Sequence, residues 1–323
     1  MIVIVIGAGC ILLTGIALSF YWLYAPIPHE PALASKISRE RITFDGYERT
    51  YWKYVPSRLS HQGKLPLLIV LHGSGIDGAK MRAWTGFEFD VMADQYGFAV
   101  AYPDGYGKNW NDIRKTAPFK AKEKNIDDVG FIKALIQNYR SVDDIDLHRV
   151  YVFGYSNGGN MAFRLAIQEP GLLAGIATIA ASLPTPDNLL VEPHGPMVPI
   201  LMVNGTKDPI IPYGGGKVNF FGKKLGNVVS ALSTIETFVG TRQNVSVTEG
   251  KWLPHLNADD HTTVEQRVWH ENERTLAVLY TVHGGGHVIP QQVAGFPRLM
   301  GKVTGDLDAP RQAITFLGLD KRQ

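Results

Sequence analysis

The sequence predicts an α/β protein built on a mostly parallel central sheet with helices on both faces. Three observations carry that expectation. Short apolar runs rich in branched residues recur at Leu67–Leu71, Phe98–Tyr102, Val150–Gly154, Ile176–Ala181, Ile200–Asn204 and Thr275–Val282. Runs of this length, apolar at nearly every position, mark strands buried on both faces. Helical periodicity lies between them, as at Asp128–Tyr139, where Val129, Ile132, Leu135 and Ile136 share one face. Alternation of the two patterns is the mark of parallel strands joined by crossover helices. Several of the runs also end in glycine-bearing turns, and in such sheets the chemistry sits at the carboxyl ends of the strands.

Composition narrows the class. With 45% hydrophobic residues, the 323-residue chain can bury one large core or two small ones. Lys and Arg number 32 against 30 Asp and Glu, a balance that gives no electrostatic case for binding nucleic acid. Cys10 is the single cysteine, which excludes an intrachain disulfide and a thiolate-rich zinc site. Gly and Pro, 34 and 19, follow no period, which excludes collagen-like and low-complexity architectures. From Ser35 to Leu317 there is no linker, repeat or composition shift. The expected organisation is therefore one domain over 35–323, closing with a helix around Ala309–Leu317, behind a separate segment over 1–34.

That first segment has its own logic. Charge is absent from Met1 to His29, and Ile2–Tyr24 is mostly apolar. As a helix these residues would span roughly 35 Å, enough to cross a hydrocarbon core of about 30 Å. Tyr21, Trp22 and Tyr24 resemble an interfacial aromatic belt, and Pro26 and Pro28 stop the helix. The expectation is one N-terminal transmembrane helix, with Cys10 as a small residue inside it. The competing reading is a cleaved signal peptide, because Ala32-Leu33-Ala34 has a small-x-small form. The long apolar stretch, the distance to that site and the missing basic region speak against cleavage. Lys36, Arg39 and Arg41 follow the segment and no Lys or Arg precedes it, which by charge alone points to a cytoplasmic domain.

The loops after the strands carry the candidate chemistry. After Leu71 comes His72-Gly73-Ser74-Gly75, a loop placed to offer a backbone N–H to an oxyanion. Ser74 or Gly75 could supply it, with Ser74 favoured. His72 precedes any downstream nucleophile and is expected to hold the loop. After Phe153 comes Gly154-Tyr155-Ser156-Asn157-Gly158, followed by a helical pattern. This fits G-x-S-x-G, the strained strand-to-helix turn that exposes a nucleophilic serine in α/β-hydrolases. An ordinary glycine-rich loop is the bland alternative; the position between strand and helix favours Ser156 as nucleophile, with the Asn157 N–H as oxyanion donor. After Asn204 comes Gly205-Thr206-Lys207-Asp208, where the carboxylate that orients a histidine belongs. After Val282 comes His283-Gly284-Gly285-Gly286-His287. One of the two histidines should be the general base. The three glycines give His287 the reach toward Ser156, whereas His283 lies nearer the strand end. A His-x-x-x-His metal pair needs a helix to align its ligands, and three glycines make a poor one. His255, His261 and His270 lie in polar sequence, and Asp259-Asp260-His261 is expected to be a solvated loop. Asp127 and Asp128 are expected to cap a helix N-terminus.

Together these residues resemble the polyhydroxybutyrate depolymerase-like and feruloyl-esterase-like α/β-hydrolases. The resemblance runs through Leu71-His72-Gly73, Tyr102-Pro103-Asp104-Gly105, Trp110-Asn111-Asp112 and Asp127-Asp128-Val129-Gly130-Phe131. It continues through Arg149-Val150-Tyr151, the turn around Ser156, Asn204-Gly205-Thr206 with Asp208-Pro209, Pro212-Tyr213 and Gly284-Gly285-Gly286-His287. It implies a serine esterase with Ser156, Asp208 and His287 as triad and no metal or organic cofactor. It also implies a domain outside the cytoplasm, against the hint of the flanking charges. The chain would then be membrane-anchored with its catalytic domain periplasmic or extracellular, or secreted if the segment is cleaved. Members often carry cysteines, where this chain has Ser74 and the segment Gln243-Asn244-Val245. Val288-Ile289-Pro290 stands where members show an aromatic residue and then proline, a difference expected to alter the substrate pocket. Trp110 is expected to line that pocket or to pack in the core.

The expected function is hydrolysis of carboxylic esters, of hydroxyalkanoate or feruloyl/acetyl type, small or oligomeric. A serine peptidase or thioesterase uses the same scaffold, and a catalytically dead, membrane-tethered binding protein is the rival outside enzymes.

Overall fold

Leu65–Leu71 reads LPLLIVL and is buried at every position, as a strand covered on both faces must be. It is β3 of the fold, which follows β1 (Ser38–Phe44) and β2 (Tyr47–Tyr54). The computed structural model describes residues 18, 21–56, 64–195, 197–220, 222–240 and 242–321. Most of the apolar segment Ile2–Tyr24, Cys10 included, lies outside them. Among the described residues no helix is long and apolar enough to cross a membrane.

The other expected strands are β4 (Ala99–Pro103), β5 (Ile145–Tyr155), β6 (Gly175–Ile179), β7 (Ile200–Gly205) and β13 (Arg274–His283). Four more complete the set: β8 (Gly216–Phe220), β9 (Lys223–Val228), β10 (Val245–Val247) and β12 (Thr263–Glu271), with the two-residue β11 (Lys251–Trp252) beside β12. Among the described residues eleven strands form one sheet in the order β1-β2-β4-β3-β5-β6-β7-β13-β12-β10, with β11 on β12. Strands β4, β3, β5, β6, β7 and β13 run parallel, while β1–β2 and β10–β12 add antiparallel margins. Strands β8 and β9 pair as a separate ribbon.

The helices that cover this sheet are α1 (Gly78–Trp84), α2 (Glu88–Tyr96), α3 (Asp128–Asp143), α4 (Asn157–Gln168), α5 (Ala231–Val239) and α6 (Ala309–Phe316). Side chains alternate along β3: Leu67, Ile69 and Leu71 join one core, Leu68 and Val70 the other. Two cores follow directly from the period of two along a strand buried on both sides. Because β3 lies between β4 and β5, the connection leaving β3 turns one way and that leaving β5 the other. The crevice between the carboxyl ends of β3 and β5 is thus the topological switch point, where open α/β sheets place ligands.

Asp127 caps α3 as expected, accepting the Gly130 N–H at 2.8 Å. Asp128 does more than cap. It is fully buried, receives Arg49 Nη2 at 2.6 Å and the Asn111 N–H at 2.7 Å, and so ties β2 to the loop before α3. The capping expectation for Asp128 is corrected accordingly.

Residues 21–35 lie on the domain. Arg298 Nη1 donates to the Tyr21 carbonyl at 3.0 Å, and its guanidinium sits 4.2 Å from the Tyr21 ring centroid. The Gly295 N–H donates to the Pro26 carbonyl at 2.8 Å. Glu30 pairs with Arg82, whose other partner is the buried Asp90. The Ala34 N–H donates to Asp94 at 2.7 Å, and the Ser35 N–H to the Tyr54 hydroxyl at 3.1 Å.

Candidate active site

At the end of β5 the chain turns within one residue into α4. Ser156 holds that turn at φ 55°, ψ −115°, a left-handed conformation that costs a non-glycine residue of order 1–3 kcal/mol and persists only where its surroundings enforce it. The Ser156 N–H donates to the Ile179 carbonyl at 2.9 Å, and the Asn160 N–H donates back to the Ser156 carbonyl at 3.0 Å. Two glycines make room. A Cβ on Gly154 would stand 2.4 Å from the Gly158 carbonyl oxygen, and one on Gly158 would stand 2.2 Å from that of Leu71. The spacing of glycines around Ser156 is therefore a packing requirement of the turn.

Strands β7 and β13 are parallel neighbours, so the loops that leave them meet. Asp208, three residues past β7, is fixed by the Ile210 and Ile211 N–H groups, which donate to its Oδ1 at 2.7 and 2.8 Å. Its Oδ2 lies 2.7 Å from His287 Nδ1, and His287 Nε2 lies 2.9 Å from Ser156 Oγ. The Asp208 and His287 side chains are each 1% exposed, so this chain of hydrogen bonds is shielded from water, where such bonds are strongest. The imidazole is held through its own backbone as well. The His287 N–H donates to the Met300 carbonyl at 2.6 Å, and the buried Tyr155 hydroxyl donates to the His287 carbonyl at 2.7 Å. His283 ends β13 with its ring stacked on Trp252 at 4.9 Å and Nε2 3.3 Å from Glu265. The structure brings His287 to Ser156 and leaves His283 on the sheet margin.

The loop after β3 is organised by His72, which is fully buried. Its Nδ1 is 2.8 Å from the Gly73 carbonyl, and its Nε2 accepts the Gly105 N–H at 2.8 Å. Burial pushes this imidazole down to about 4, so it is neutral and serves as a bracket between two loops. The Gly75 N–H is engaged by the Lys108 carbonyl at 2.9 Å, whereas Ser74 lines the pocket together with Ser156 and His287. Asn157, the first residue of α4, faces inward: its Oδ1 accepts the Trp110 N–H at 2.7 Å, and its Nδ2 donates to the Trp110 carbonyl and to Asp112.

Trp110 belongs to the core and not to the pocket wall. It is fully buried, its ring lies 4.9 Å from that of His72, and its Nε1 donates to the His72 carbonyl at 2.9 Å. Val288 and Ile289 are buried too and stand outside the pocket wall. Asp259-Asp260-His261 forms a turn in which Asp260 Oδ1 accepts the Thr262 N–H and hydroxyl at 2.7 and 2.6 Å.

Sequence reasoning missed the support beneath Asn157. Asp112 and Arg114 form a buried pair in which Arg114 Nε lies 3.1 Å from both carboxylate oxygens, and Asp112 also receives Asn157 Nδ2. Removing one partner of such a pair strands the other charge in the core. Asp112→Ala is expected to lower stability by about 3–5 kcal/mol, seen as a lower urea midpoint at unchanged slope. A loss under about 1 kcal/mol, the range of an exposed pair, would contradict this role.

Beside Ser156 and His287 lies a cavity of about 190 Å³ walled by Trp84, Tyr155, Phe220, Pro297, Leu299 and Met300, with Leu23 and Ser74 also contributing. Apart from His287 its wall carries no ionisable group except the Tyr155 phenol, which burial pushes far above its ordinary range. These apolar residues come from distant segments and have no local spacing to reveal them.

The strand order, the switch-point crevice and the strained serine turn define an α/β-hydrolase. The chain belongs to the phospholipase/carboxylesterase family, whose model matches residues 59–233, more than half of the chain. By class it is a serine carboxylic-ester hydrolase. The match includes Ser156 and Asp208; His287 lies beyond it. The chain is 27% identical over 302 residues to "Putative esterase NocK" of Nocardia uniformis subsp. tsuyamanensis, covering 91% of this chain and 86% of the relative. It is 30% identical over 244 residues to feruloyl esterase B of Piromyces equi, covering 72% of this chain but 41% of that protein. Among solved structures, acetyl xylan esterase from Aspergillus awamori shares the fold, with a TM-score of 0.57, 14% identity, and coverage of 87% of this chain and 99% of that one.

Proposed function

We propose that the protein hydrolyses neutral carboxylic esters through Ser156 as nucleophile, His287 as general base and Asp208 as the group that orients and stabilises the imidazole. The observation that carries this is the 2.9 Å contact of His287 Nε2 with Ser156 Oγ at an apolar pocket. His287 takes the proton of Ser156 as Oγ attacks the ester carbonyl, and Asp208 stabilises the imidazolium so formed. The N–H groups of Asn157 and Ser74 face the developing oxyanion, a contribution worth about 10²–10³ per donor elsewhere. The imidazolium then protonates the departing alcohol, and water, activated by the same imidazole, releases the acid from the acyl-enzyme.

The pocket supports an acyl group of modest size. An engineered apolar cavity of roughly 150 Å³ holds benzene, so about 190 Å³ suits one aromatic ring or a short aliphatic chain. Feruloyl, acetyl and short hydroxyalkanoyl esters fall in this class, in keeping with the names of several relatives. A panel of p-nitrophenyl acyl esters, methyl ferulate, acetylated xylan and short hydroxybutyrate oligomers tests the reading. Turnover of at least one class that is abolished by a serine-directed fluorophosphonate is expected; turnover of none would overturn it.

The proposal includes an anchor. Ile2–Tyr24 is uncharged, long enough to span a bilayer and closed by aromatic residues, and the resemblance to secreted esterases supports a domain outside the cytoplasm. Full-length protein is expected in the membrane fraction, with the domain from Ser35 onward open to protease added to spheroplasts. A soluble product starting at Ser35 would show cleavage instead, and a membrane-bound but protected domain would reverse the topology.

A further inference from the structure

We infer that Leu23, at the end of the N-terminal apolar segment, is a specificity residue: it forms the outer wall of the acyl pocket. This rests on the proposed role of Ser156. Leu23 lines the same cavity as Ser156, Phe220 and Leu299, although it stands some 130 residues away from the serine turn in sequence. Its position is imposed by its neighbours. On one side Tyr21 is clamped by Arg298, through its carbonyl at 3.0 Å and its ring at 4.2 Å. On the other the Pro26 carbonyl accepts the Gly295 N–H at 2.8 Å, and Glu30 is held by the buried Arg82. Arg298 lies between Pro297 and Leu299, two further wall residues, so the strap and the wall are one piece.

Leu23 is 59% exposed; it therefore forms the rim and not the floor. An acetyl group at Ser156 is too short to reach a rim, whereas a longer acyl chain must cross it. Leu23 thus contributes to affinity only for longer acyl groups. Loss of residues 1–34 by cleavage after Ala34 would strip this wall from the pocket, so anchoring and acyl preference are linked through one segment.

The test compares full-length Leu23→Ala, Leu23→Asp and Leu23→Met on p-nitrophenyl acetate and octanoate, with Ser156→Ala as control. One methylene more or less in an apolar pocket changes kcat/KM by roughly 10–200-fold, and a half-exposed rim falls at or below the low end. Leu23→Ala is expected to lower kcat/KM for octanoate about fivefold, Leu23→Asp more than tenfold, and Leu23→Met to restore it, with acetate changed less than twofold. An unchanged octanoate-to-acetate ratio, or an equal loss on both esters, would overturn the inference. If Ser156→Ala keeps its turnover, the proposed mechanism fails and this inference with it; if only the Leu23 variants behave as wild type, the mechanism stands alone.

Discussion

Ser156→Ala is expected to leave a folded protein whose ester turnover is about 10⁵–10⁶ lower, the size of loss seen when a triad nucleophile is removed elsewhere. The substitution deletes one oxygen whose recorded partner is His287 Nε2 at 2.9 Å. The backbone bonds that enforce the turn, to Ile179 and from Asn160, are untouched. Alanine at φ 55° carries the same kind of strain as serine, so the cost to stability should stay within about 1 kcal/mol. Steady-state kinetics on the best substrate, with a melting curve on the same sample, separates loss of chemistry from loss of fold. Residual activity above a few per cent in a well-folded variant would remove Ser156 from the mechanism.

His287→Ala should match the serine variant, while His283→Ala should keep most of the activity. Both histidines flank the same three glycines, yet their surroundings differ. His287 is 1% exposed and bridges Asp208 and Ser156. His283 is 40% exposed, with Glu265 and Trp252 as its partners. Without His287 the serine hydroxyl has no base, and residues that act as a unit lose nearly the same rate whichever is removed. Replacing His283 gives up a half-exposed contact with Glu265 and a ring contact, worth about 1 kcal/mol of stability and no chemistry. A reversal of the two phenotypes would move the base to His283.

The central strands and the chemical loops were legible because their signals are local. LPLLIVL in β3 says buried strand at every position, and the glycines around Ser156 sit where the turn excludes any Cβ. The antiparallel margin was harder. Strand β1 alternates half-buried and exposed positions, so a search for continuous apolar runs passes over it, although Asp45-Gly46, with both φ values positive, is a strong hairpin signal. Tertiary pairing was not legible at all. Asp128 reads as a cap until Arg49, 79 residues earlier, is seen against it. Trp110 reads equally as a pocket or a core residue until His72 is found packed on its ring. The pocket wall from Leu23, Trp84, Phe220 and Leu299 is assembled by the fold alone.

The most direct test of the account is where a covalent acyl-type label lands. The protein is treated with a fluorophosphonate, digested and mapped by mass spectrometry, beside His287→Ala treated in the same way. The account predicts one adduct, on Ser156, formed rapidly in the wild type and at least 10³-fold more slowly without the imidazole. An adduct on any other residue, or labelling of Ser156 at the same rate without His287, would contradict it.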